Sequence, residues 1–246
     1  MFRSISGFAQ ISPTEVVVID SSNACLRNVN RITLQTEQLV GQCESSGYVD
    51  GVGNNSRFNR PEHVIKDMMS PNHLIVTDQD NDGNTVLRSV DLVTLNLTLF
   101  APMPNHMDNT DIGITQQEDS GNIFVTVHHW GGSDLNNIMM LNYGSKALTY
   151  INQKYMPCGL NDGPILEAEF CTPGAPIFLN PDVLLIADWY NGRVRALDLK
   201  KNKTSSICFG LCDKLNPTDY EYIYSAAVVD DTLYIATPLS LFAVKG

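Results

Sequence analysis

The chain lacks the features that mark several large classes of protein. No run of roughly 18 apolar residues occurs among its 246 residues, which argues against a membrane-spanning helix. Basic residues are scarce, with 16 Lys and Arg against 27 Asp and Glu. The resulting formal net charge of −11 argues against nucleic acid and acidic membrane surfaces as partners. Long stretches with helical periodicity are also missing.

Short apolar segments and turn residues make up most of the chain instead. Val, Ile, Leu, Thr and Tyr occur in brief runs, and 17 Gly and 12 Pro supply breaks between them. Such runs, bounded by turn residues, are typical of β-strands. With 43% hydrophobic and 17% charged residues, the chain is too apolar for a disordered protein. The composition therefore predicts an all-β globular protein.

Two motifs recur along the chain. In the first, an apolar strand ends in Asp, a polar turn follows, and an apolar-Arg pair begins the return; it occurs at Asp20–Arg27, Asp78–Arg88 and Asp188–Arg195. In the second, Asp-Gly is separated by six residues from a Phe, which is separated by two residues from a Pro, at Asp50–Pro61 and Asp162–Pro173. Motifs repeated in one chain indicate small β units that bury a core by stacking on their neighbours.

The residue that ends the second strand of each unit gives the length of the repeat. Successive positions lie 58, 50, 60 and 49 residues apart, at Asp20, Asp78, His128, Asp188 and Thr237. A repeat of about 50 residues suits one four-stranded blade of a β-propeller. The sequence therefore predicts one domain, residues 1–246, built as a five-bladed β-propeller.

The two ends of the chain suggest how the ring of blades closes. The fifth unit has room for three strands, the last of them Leu239–Val244, whereas Phe2–Ser6 precedes the first predicted strand, Gly7–Ser12, and has no other partner. We predict that the N-terminal strand Phe2–Ser6 pairs with the C-terminal blade, because closure removes an open sheet edge.

The Asp and Arg of the first motif are predicted to meet across a short hairpin. A charge-assisted hydrogen bond there would fix the register of the two strands. Units three and five carry Met139-Met140 and Leu241-Phe242 in place of the pair, and we expect them to rely on apolar packing. The role of the pair is structural.

Cysteines and glycosylation sequons point to an oxidising compartment. Six cysteines allow 15 pairings, and pairing of near neighbours is the simplest: Cys25 with Cys43, Cys158 with Cys171, and Cys208 with Cys212. Acceptor sequons occur at Asn54, Asn96 and Asn202. Together they favour an extracellular or secreted protein. Because Met1–Gly7 lacks the apolar core of a signal peptide, we expect the chain to be a mature or excised piece of a larger extracellular chain or assembly.

The two motifs resemble those of NHL-repeat β-propellers, and Asn23-Ala24-Cys25-Leu26-Arg27 with the later Cys43 is similar to extracellular animal members. The similarity is close in units one, two and four. It implies a propeller with a ligand or partner surface on one face. The family includes RNA-binding modules, adhesion-type ectodomains and a zinc-dependent lyase, so the resemblance does not imply one activity. Five blades would be a departure from the six expected of most members.

A candidate calcium site lies in the hairpin of the second unit. Asp78, Asp80 and Asp82, followed by Gly83, match the opening of an Asp-x-Asp-x-Asp-Gly calcium loop. The residue at the closing position is Ser89, so the carboxylate expected there is missing. The alternative is a polar turn in which Asp78 bonds to an arginine. We predict no cofactor other than this calcium ion.

The sequence contains few of the residue patterns that are typical of enzymes. His63 and Glu62 begin a predicted innermost strand and would be the start of a zinc site, but no other unit supplies a matching histidine, and catalytic zinc usually takes three protein ligands. Neither a nucleophile elbow nor a phosphate-binding glycine loop occurs. A metal-dependent lyase or lactonase-like enzyme with a cation in a central channel is therefore the alternative hypothesis.

Aromatic residues in two equivalent hairpins form the predicted binding surface. His129 and Trp130 belong to unit three, and Trp189 and Tyr190 to unit four. Exposed Trp and Tyr are favoured in protein and glycan contacts, although the rings could instead pack on a neighbouring blade. We predict an extracellular protein-binding, adhesion or structural module without catalysis, with protein or glycan partners.

Overall fold

The computed structural model describes residues 1–104, 110–129, 136–153, 158–207, 225–229, 232–236 and 241–245. The chain divides into two compact units, Met1–Asn109 and Thr110–Gly246. Regular structure in the described ranges consists of antiparallel strands and short 3₁₀ turns at Ser21–Asn23, Gly53–Asn55 and Ile165–Glu167. No helix in these ranges has the length and apolar character needed to cross a membrane. The all-β prediction is confirmed.

The unit Met1–Asn109 holds two antiparallel sheets. The first has the strand order β1-β2-β3-β4, and the second has the order β5-β9-β8-β7-β6. The first sheet consists of β1 (Ile5–Gln10), β2 (Glu15–Asp20), β3 (Cys25–Asn30) and β4 (Thr36–Val40). The second consists of β5 (Gly51–Val52), β6 (Val64–Lys66), β7 (His73–Gln79), β8 (Thr85–Asp91) and β9 (Asn96–Pro102). Leu26, Phe58 and Leu74 belong to the apolar core of this unit and are fully buried.

The unit Thr110–Gly246 holds three antiparallel sheets in the described ranges. Their strand orders are β10-β11-β12-β13, β14-β18-β17-β16-β15 and β19-β20-β21. The first two comprise β10 (Thr110–Gln116), β11 (Ile123–His129), β12 (Asn136–Leu141), β13 (Leu148–Tyr150), β14 (Gly163–Pro164), β15 (Ile177–Asn180), β16 (Val183–Asp188), β17 (Arg193–Asp198) and β18 (Lys203–Ile207). The third comprises β19 (Ser225–Val229), β20 (Thr232–Ala236) and β21 (Leu241–Lys245).

The sheets follow the predicted units, with two differences. The Asp-Gly segments contribute short outer strands, because Gly51 pairs with Leu97 and Gly163 pairs with Thr204. At the N-terminus, Ile5 already belongs to β1, where it pairs with Asp20. The prediction that all of Phe2–Ser6 forms a separate closing strand is therefore wrong for Ile5 and Ser6.

One turn recurs between the last two strands of four sheets. Each turn begins with an Asn or Asp whose Oδ1 accepts a backbone N–H two or three residues further on, at Asn30, Asp91, Asn142 and Asp198. Each contains a non-glycine residue with positive φ, at Leu34 (58°), Leu95 (57°), Lys146 (58°) and Asn202 (51°). The side-chain acceptor stabilises a turn that includes this otherwise unfavourable backbone conformation.

Candidate functional site

The predicted Asp–Arg pairs form in all three places. Each aspartate accepts a hydrogen bond from its arginine at a distance of 2.8, 2.9 or 2.7 Å, for Asp20–Arg27, Asp78–Arg88 and Asp188–Arg195 respectively. The partners are diagonal rather than directly opposite on the ladder, since Arg195 pairs with Ile186 and Asp188 with Arg193. Both side chains then lie on the same face of the sheet, which lets the guanidinium reach back to the carboxylate.

The aspartate of the second motif completes the network in two of these places. Arg88 Nη2 donates to Asp50 Oδ1 at 2.6 Å, and Arg195 Nη2 donates to Asp162 Oδ1 at 2.8 Å. Each arginine is fully buried between one buried and one half-exposed carboxylate. The two sequence motifs therefore belong to one ion-pair network, in which the arginine of the first motif binds an aspartate of each. The spacing within each motif did not reveal this contact.

The phenylalanine of the second motif packs on the same guanidinium. The ring centroid of Phe58 lies 5.8 Å from Arg88 Cζ, and that of Phe170 lies 4.7 Å from Arg195 Cζ. Rings at this distance attract a buried cation. Backbone N–H groups of residues that follow these rings in sequence also donate to the buried aspartate. The backbone N–H of Arg60, for example, donates to Asp78 Oδ1 at 2.8 Å.

The N-terminus repeats this arrangement around Asp20. Phe2 lies 5.5 Å from Arg27 Cζ, and the backbone N–H groups of Arg3 and Ser4 donate to Asp20 Oδ1 at 3.0 and 3.4 Å. Phe2 thus takes the place that Phe58 takes in the second sheet. The signal that could have found it is a Phe ahead of the first strand of a sheet, as Phe58 precedes β6 and Phe170 precedes β15 in the second motif.

The buried carboxylates differ in the direction of their pKa shifts. Burial raises the pKa of Asp78 to about 6, although the N–H of Arg60 and the charge of Arg88 oppose it. Burial likewise raises the pKa of Asp188. Burial acts in the same direction on Asp20, but hydrogen bonds from Arg3, Arg27, Asn23 and Ser4 together lower its pKa. These shifts belong to the structural network rather than to an acid–base pair in a cleft.

The aromatic hairpin of the fourth sheet is held rigidly. Tyr190 is 53% exposed, and its ring centroid lies 5.5 Å from that of the half-buried Trp189. The backbone N–H of Tyr190 donates to the carbonyl of Cys171 at 3.1 Å. Asn191 Nδ2 donates to the Gly159 carbonyl at 2.7 Å and to the Asp188 carboxylate at 2.8 Å. The turn therefore presents Tyr190 to solvent from a fixed backbone.

The other half of the predicted aromatic surface is not placed. Trp130 lies outside the described residues. His129 is the last residue of β11, but its side chain also lies outside what the structure describes. The structure therefore supports Trp189 and Tyr190 as neighbours and leaves their relation to His129 and Trp130 as a prediction.

Two of the three predicted disulfides are present. Cys25 is bonded to Cys43, and Cys158 is bonded to Cys171. Cys208 and Cys212 lie outside the described residues, so their pairing stays a prediction. The second disulfide links the loop that carries Gly159 to the residue that accepts the Tyr190 N–H. The disulfide therefore links the two backbone segments that accept hydrogen bonds from the aromatic turn.

The predicted glycosylation sites lie on accessible backbone. Asn54 and Asn202 are exposed, and Asn96 at the start of β9 is partly exposed. Asn54 belongs to a 3₁₀ turn, and Asn202 is the positive-φ residue of a hairpin turn. These positions suit a bulky surface substituent, and the glycans themselves stay predictions.

The structure does not bring the predicted calcium ligands together. Asp78 uses both oxygens, with Arg60 and Asn59 N–H groups on Oδ1 and Arg88 on Oδ2. Asp80 Oδ1 accepts the N–H groups of Asp82 and Asn84, each at 2.9 Å, as in an ordinary polar turn. No group of three or more His, Cys, Asp or Glu side chains in the described ranges is placed to hold a metal. The calcium site stays a prediction.

The residues of the alternative enzyme hypothesis lie at the edge of the second sheet. His63 directly precedes β6, and its backbone N–H donates to Thr77 Oγ1 at 2.9 Å. Glu62 forms an ion pair with Arg60 at 2.7 Å. The zinc site stays a prediction.

Comparison with known proteins supports the fold. No model of a known family matches the sequence, and no curated protein matches it. A chain from the crystal structure of the nidogen/laminin complex matches 99% of this chain over 76% of its own length, with a TM-score of 0.65 and 12% identity.

Two bacterial structures match as well. An auxiliary nutrient binding protein from Bacteroides ovatus matches 94% of this chain over 56% of its own length, with a TM-score of 0.68 and 12% identity. Virginiamycin B lyase from Staphylococcus aureus matches 100% of this chain over 71% of its own length, with a TM-score of 0.59 and 10% identity. These neighbours are β-propeller proteins. At such low identity they show the fold of the chain and not its activity.

Proposed function

We propose that this chain is an extracellular protein-binding propeller module of NHL-like blades that works without catalysis. The observation that carries the proposal is the exposed Tyr190 beside Trp189 on a turn fixed by hydrogen bonds and a disulfide. A rigid aromatic residue loses little conformational entropy when it is buried by a partner. Such residues supply much of the binding energy in protein interfaces.

Several observations support an extracellular protein partner. Two disulfides tie loops to buried hairpins, and disulfides persist mainly in oxidising compartments. The structural match to a chain of the nidogen/laminin complex also supports a protein partner, because that chain was crystallised in a complex of proteins. We propose that a protein partner docks on the Trp189–Tyr190 turn, with His129 and Trp130 contributing to the same surface, and that Asn54, Asn96 and Asn202 carry glycans.

The proposal includes a ring of five blades closed by the residues ahead of β1 pairing with β21. The chain has five antiparallel sheets in the described ranges, and the third sheet of the second unit has three strands there. A Phe2→Cys, Phe242→Cys variant tests the closure. Formation of this disulfide under oxidising conditions, found by mass spectrometry of the tryptic digest, is the expected result. A variant in which both new thiols stay free would contradict closure.

Site-specific photo-crosslinking tests the binding surface. A photoreactive phenylalanine analogue is placed at position 190 and, as a control, at the exposed Leu179 of the same sheet, and each protein is exposed to a fraction of secreted proteins. We expect one protein to be crosslinked from position 190 and not from position 179. Equal crosslinking from both positions would contradict the proposal. Crosslinking of glycans and no protein from position 190 would show that the partner is a glycan and not a protein.

The alternative function is that of a metal-dependent enzyme with a cation in a central channel. The match to virginiamycin B lyase is the observation that favours it. Its test is elemental analysis of the purified protein, in which stoichiometric zinc lost on substitution of His63 would support the enzyme. Protein that is free of zinc after purification without chelators would contradict the enzyme hypothesis.

A further inference from the structure

Among the sheets that carry an Asp–Arg pair, the first has an open outer edge in the described residues. In the second sheet the Asp-Gly segment adds β5 beside the outer strand β9, where Gly51 pairs with Leu97. In the fourth sheet it adds β14 beside β18, where Gly163 pairs with Thr204. The first sheet ends at β4 in the described part of the chain. The short strand that covers two related sheets is therefore missing there.

The register of the ladders shows which residue of β4 corresponds to the covered positions. In the second and fourth sheets, the covered residue lies two positions before the residue that pairs with the arginine. Arg27 pairs with Gln38 in the first sheet, so the corresponding residue is Thr36. Thr36 is exposed, whereas its counterparts Leu97 and Thr204 are fully buried. The edge of β4 is therefore open at the position that the other two sheets cover.

Arg27 also lacks the second carboxylate that the Asp-Gly segment supplies elsewhere. Arg88 and Arg195 each bind the aspartate of that segment, and both arginines are fully buried. Arg27 donates to Asp20 through its Nε, has no other carboxylate partner in the described residues, and remains 15% exposed. The other N–H groups of a guanidinium suit a second carboxylate. Arg27 therefore provides the charge that an added aspartate requires.

The backbone of β4 provides a second donor for such an aspartate. In the fourth sheet, the carboxylate of Asp162 accepts the N–H of Ser206 at 2.8 Å in addition to the hydrogen bonds from Arg195. Gln38 takes the place of Ser206 in the first sheet, because each residue pairs with the arginine of its own sheet. Backbone groups at the same register of an antiparallel ladder point in the same direction. The N–H of Gln38 therefore points to the open edge beside Arg27.

The two existing segments define the chemistry of the missing strand. In each, Asp is followed by a glycine with positive φ, 155° at Gly51 and 133° at Gly163, which other residues rarely adopt. Two residues before the first of these aspartates, the ring of Tyr48 lies 4.3 Å from Arg88 Cζ, a distance at which a ring attracts a cation. The missing strand therefore requires Asp-Gly, and an aromatic residue ahead of it adds a contact with the arginine.

The chain has no spare segment of this type. Its Asp-Gly pairs begin at Asp50, Asp82 and Asp162. The first and third pairs cover their own sheets, and the second lies in the turn between β7 and β8. The other half of the motif is present in the first sheet, where Phe2 takes the place of Phe58. An Asp-Gly strand for β4 therefore has to come from outside these 246 residues.

From these observations we propose that the open edge of β4 binds an extended segment of a second polypeptide in which Asp is followed by Gly. The aspartate bonds to Arg27 and to the N–H of Gln38, and the glycine pairs with Thr36. Addition of a strand to a sheet edge supplies backbone hydrogen bonds, and the pairing of carboxylate and guanidinium supplies selectivity. This surface is independent of the Trp189–Tyr190 turn, so either docking site can fail its test without the other.

Fluorescence anisotropy with a labelled peptide and the full chain tests the proposal. The peptide has the sequence of Tyr48–Ser56, which contains the Asp-Gly pair and stops before Phe58, because Phe2 already supplies that ring. We expect saturable binding of one peptide per chain, and at least about tenfold weaker binding of the same peptide with Asp50→Asn. Absence of saturable binding, or equal affinity of the two peptides, would overturn the proposal.

Hydrogen exchange locates the bound peptide, with the second sheet as an internal control. The backbone amides of β4 around Gln38 should exchange more slowly in the complex. Those of β9, which β5 already covers, should keep their rates. Unchanged exchange in β4, or protection that appears only in another sheet, would contradict binding at this edge.

Two protein variants test the role of Arg27. Arg27→Gln removes the guanidinium and should weaken binding of the unchanged peptide at least about tenfold. Arg57→Gln removes an exposed arginine of the same unit and should bind like the unchanged chain. Unaltered affinity of Arg27→Gln, or equal weakening in both variants, would overturn the proposal. If Arg27→Gln does not fold, the comparison of the two peptides on the unchanged chain decides.

Discussion

The first and second Asp–Arg networks use the same motif in different surroundings. Arg27 has one carboxylate partner in the described residues and remains 15% exposed, whereas Arg88 is fully buried between Asp78 and Asp50. The pKa of Asp20 is lowered, and that of Asp78 is raised to about 6. The comparison shows that the Asp-Gly segment, which supplies the outer strand β5 of the second sheet, adds a second carboxylate and turns a partly hydrated ion pair into a three-residue network around a buried arginine.

Buried networks of this kind depend on complete pairing. Two charges removed from water gain little stability by their mutual attraction, but the loss of one partner leaves the other uncompensated. Arg88 has no access to water in the folded state, whereas Arg27 does. The same substitution should therefore cost more in the second sheet than in the first.

The largest expected effect follows the loss of Asp78. Asp78→Ala leaves the buried Arg88 with only the half-exposed Asp50 and removes the acceptor of the Asn59 and Arg60 N–H groups. We expect the free energy of unfolding, measured in urea, to fall by about 3–5 kcal/mol. A loss below about 1 kcal/mol, the range of a surface pair, would mean that the network is not buried as described.

Loss of Asp20 should have a smaller effect. In Asp20→Ala, Arg27 can turn to water, but the N–H groups of Arg3 and Ser4 lose their acceptor. We expect a fall of about 1–3 kcal/mol under the same conditions. If Asp20→Ala costs as much as Asp78→Ala, the contrast between the two networks is wrong.

The two carboxylates should also respond oppositely to pH. The folded-state pKa of Asp78, about 6, exceeds its reference value of 3.8, so the stabilisation linked to its protonation is fully present below 3.8 and is lost as the pH rises through about 6, while the ion pair with Arg88 belongs to the ionised form. The pKa of Asp20 is lowered, so its contribution is present above 3.8 and is lost as the pH falls through the folded-state value. Carboxyl carbon NMR titration should show Asp78 titrating well above Asp20. The reverse order would contradict the two environments.

The smallest expected effect is that of Phe2. Its ring is partly exposed and lies 5.5 Å from Arg27, whereas Phe58 is fully buried near Arg88. Phe2→Leu should reduce the unfolding free energy by about 0.5–1 kcal/mol, the range of an exposed cation–π contact. Phe58→Leu is the matched variant and should cost more, because it also disturbs a packed core. Equal losses would show that Phe2 is not the weaker counterpart of Phe58.

Local patterns predicted much of this structure. The Asp–Arg pairs and the disulfides Cys25–Cys43 and Cys158–Cys171 join residues close in sequence, so their spacing was informative. The contact of Asp50 with Arg88 spans 38 residues, and that of Asp162 with Arg195 spans 33. Such contacts depend on the path by which a loop returns to the sheet. The spacing of residues within one motif gives no information about that path.

The candidate sites show the same limit. Trp189 and Tyr190 were found because adjacent aromatic residues in a turn are visible in the sequence. Arg27, Thr36 and Gln38 come from two different strands, and their correspondence to the covered edges of the other sheets follows only from the register of the ladders. The calcium-loop pattern at Asp78 was visible, but the buried arginine that uses its carboxylate became clear only from the fold.

The most direct test of the binding-module account measures the affinity of the crosslinked partner for variants of the aromatic turn. Surface plasmon resonance with the purified partner would compare the unchanged chain with Trp189→Ala, Tyr190→Ala and the control Leu179→Ala. The account predicts at least about tenfold weaker binding for one or both aromatic variants and an unchanged dissociation constant for Leu179→Ala. Equal affinity of all four proteins, each with an unchanged melting temperature, would contradict it.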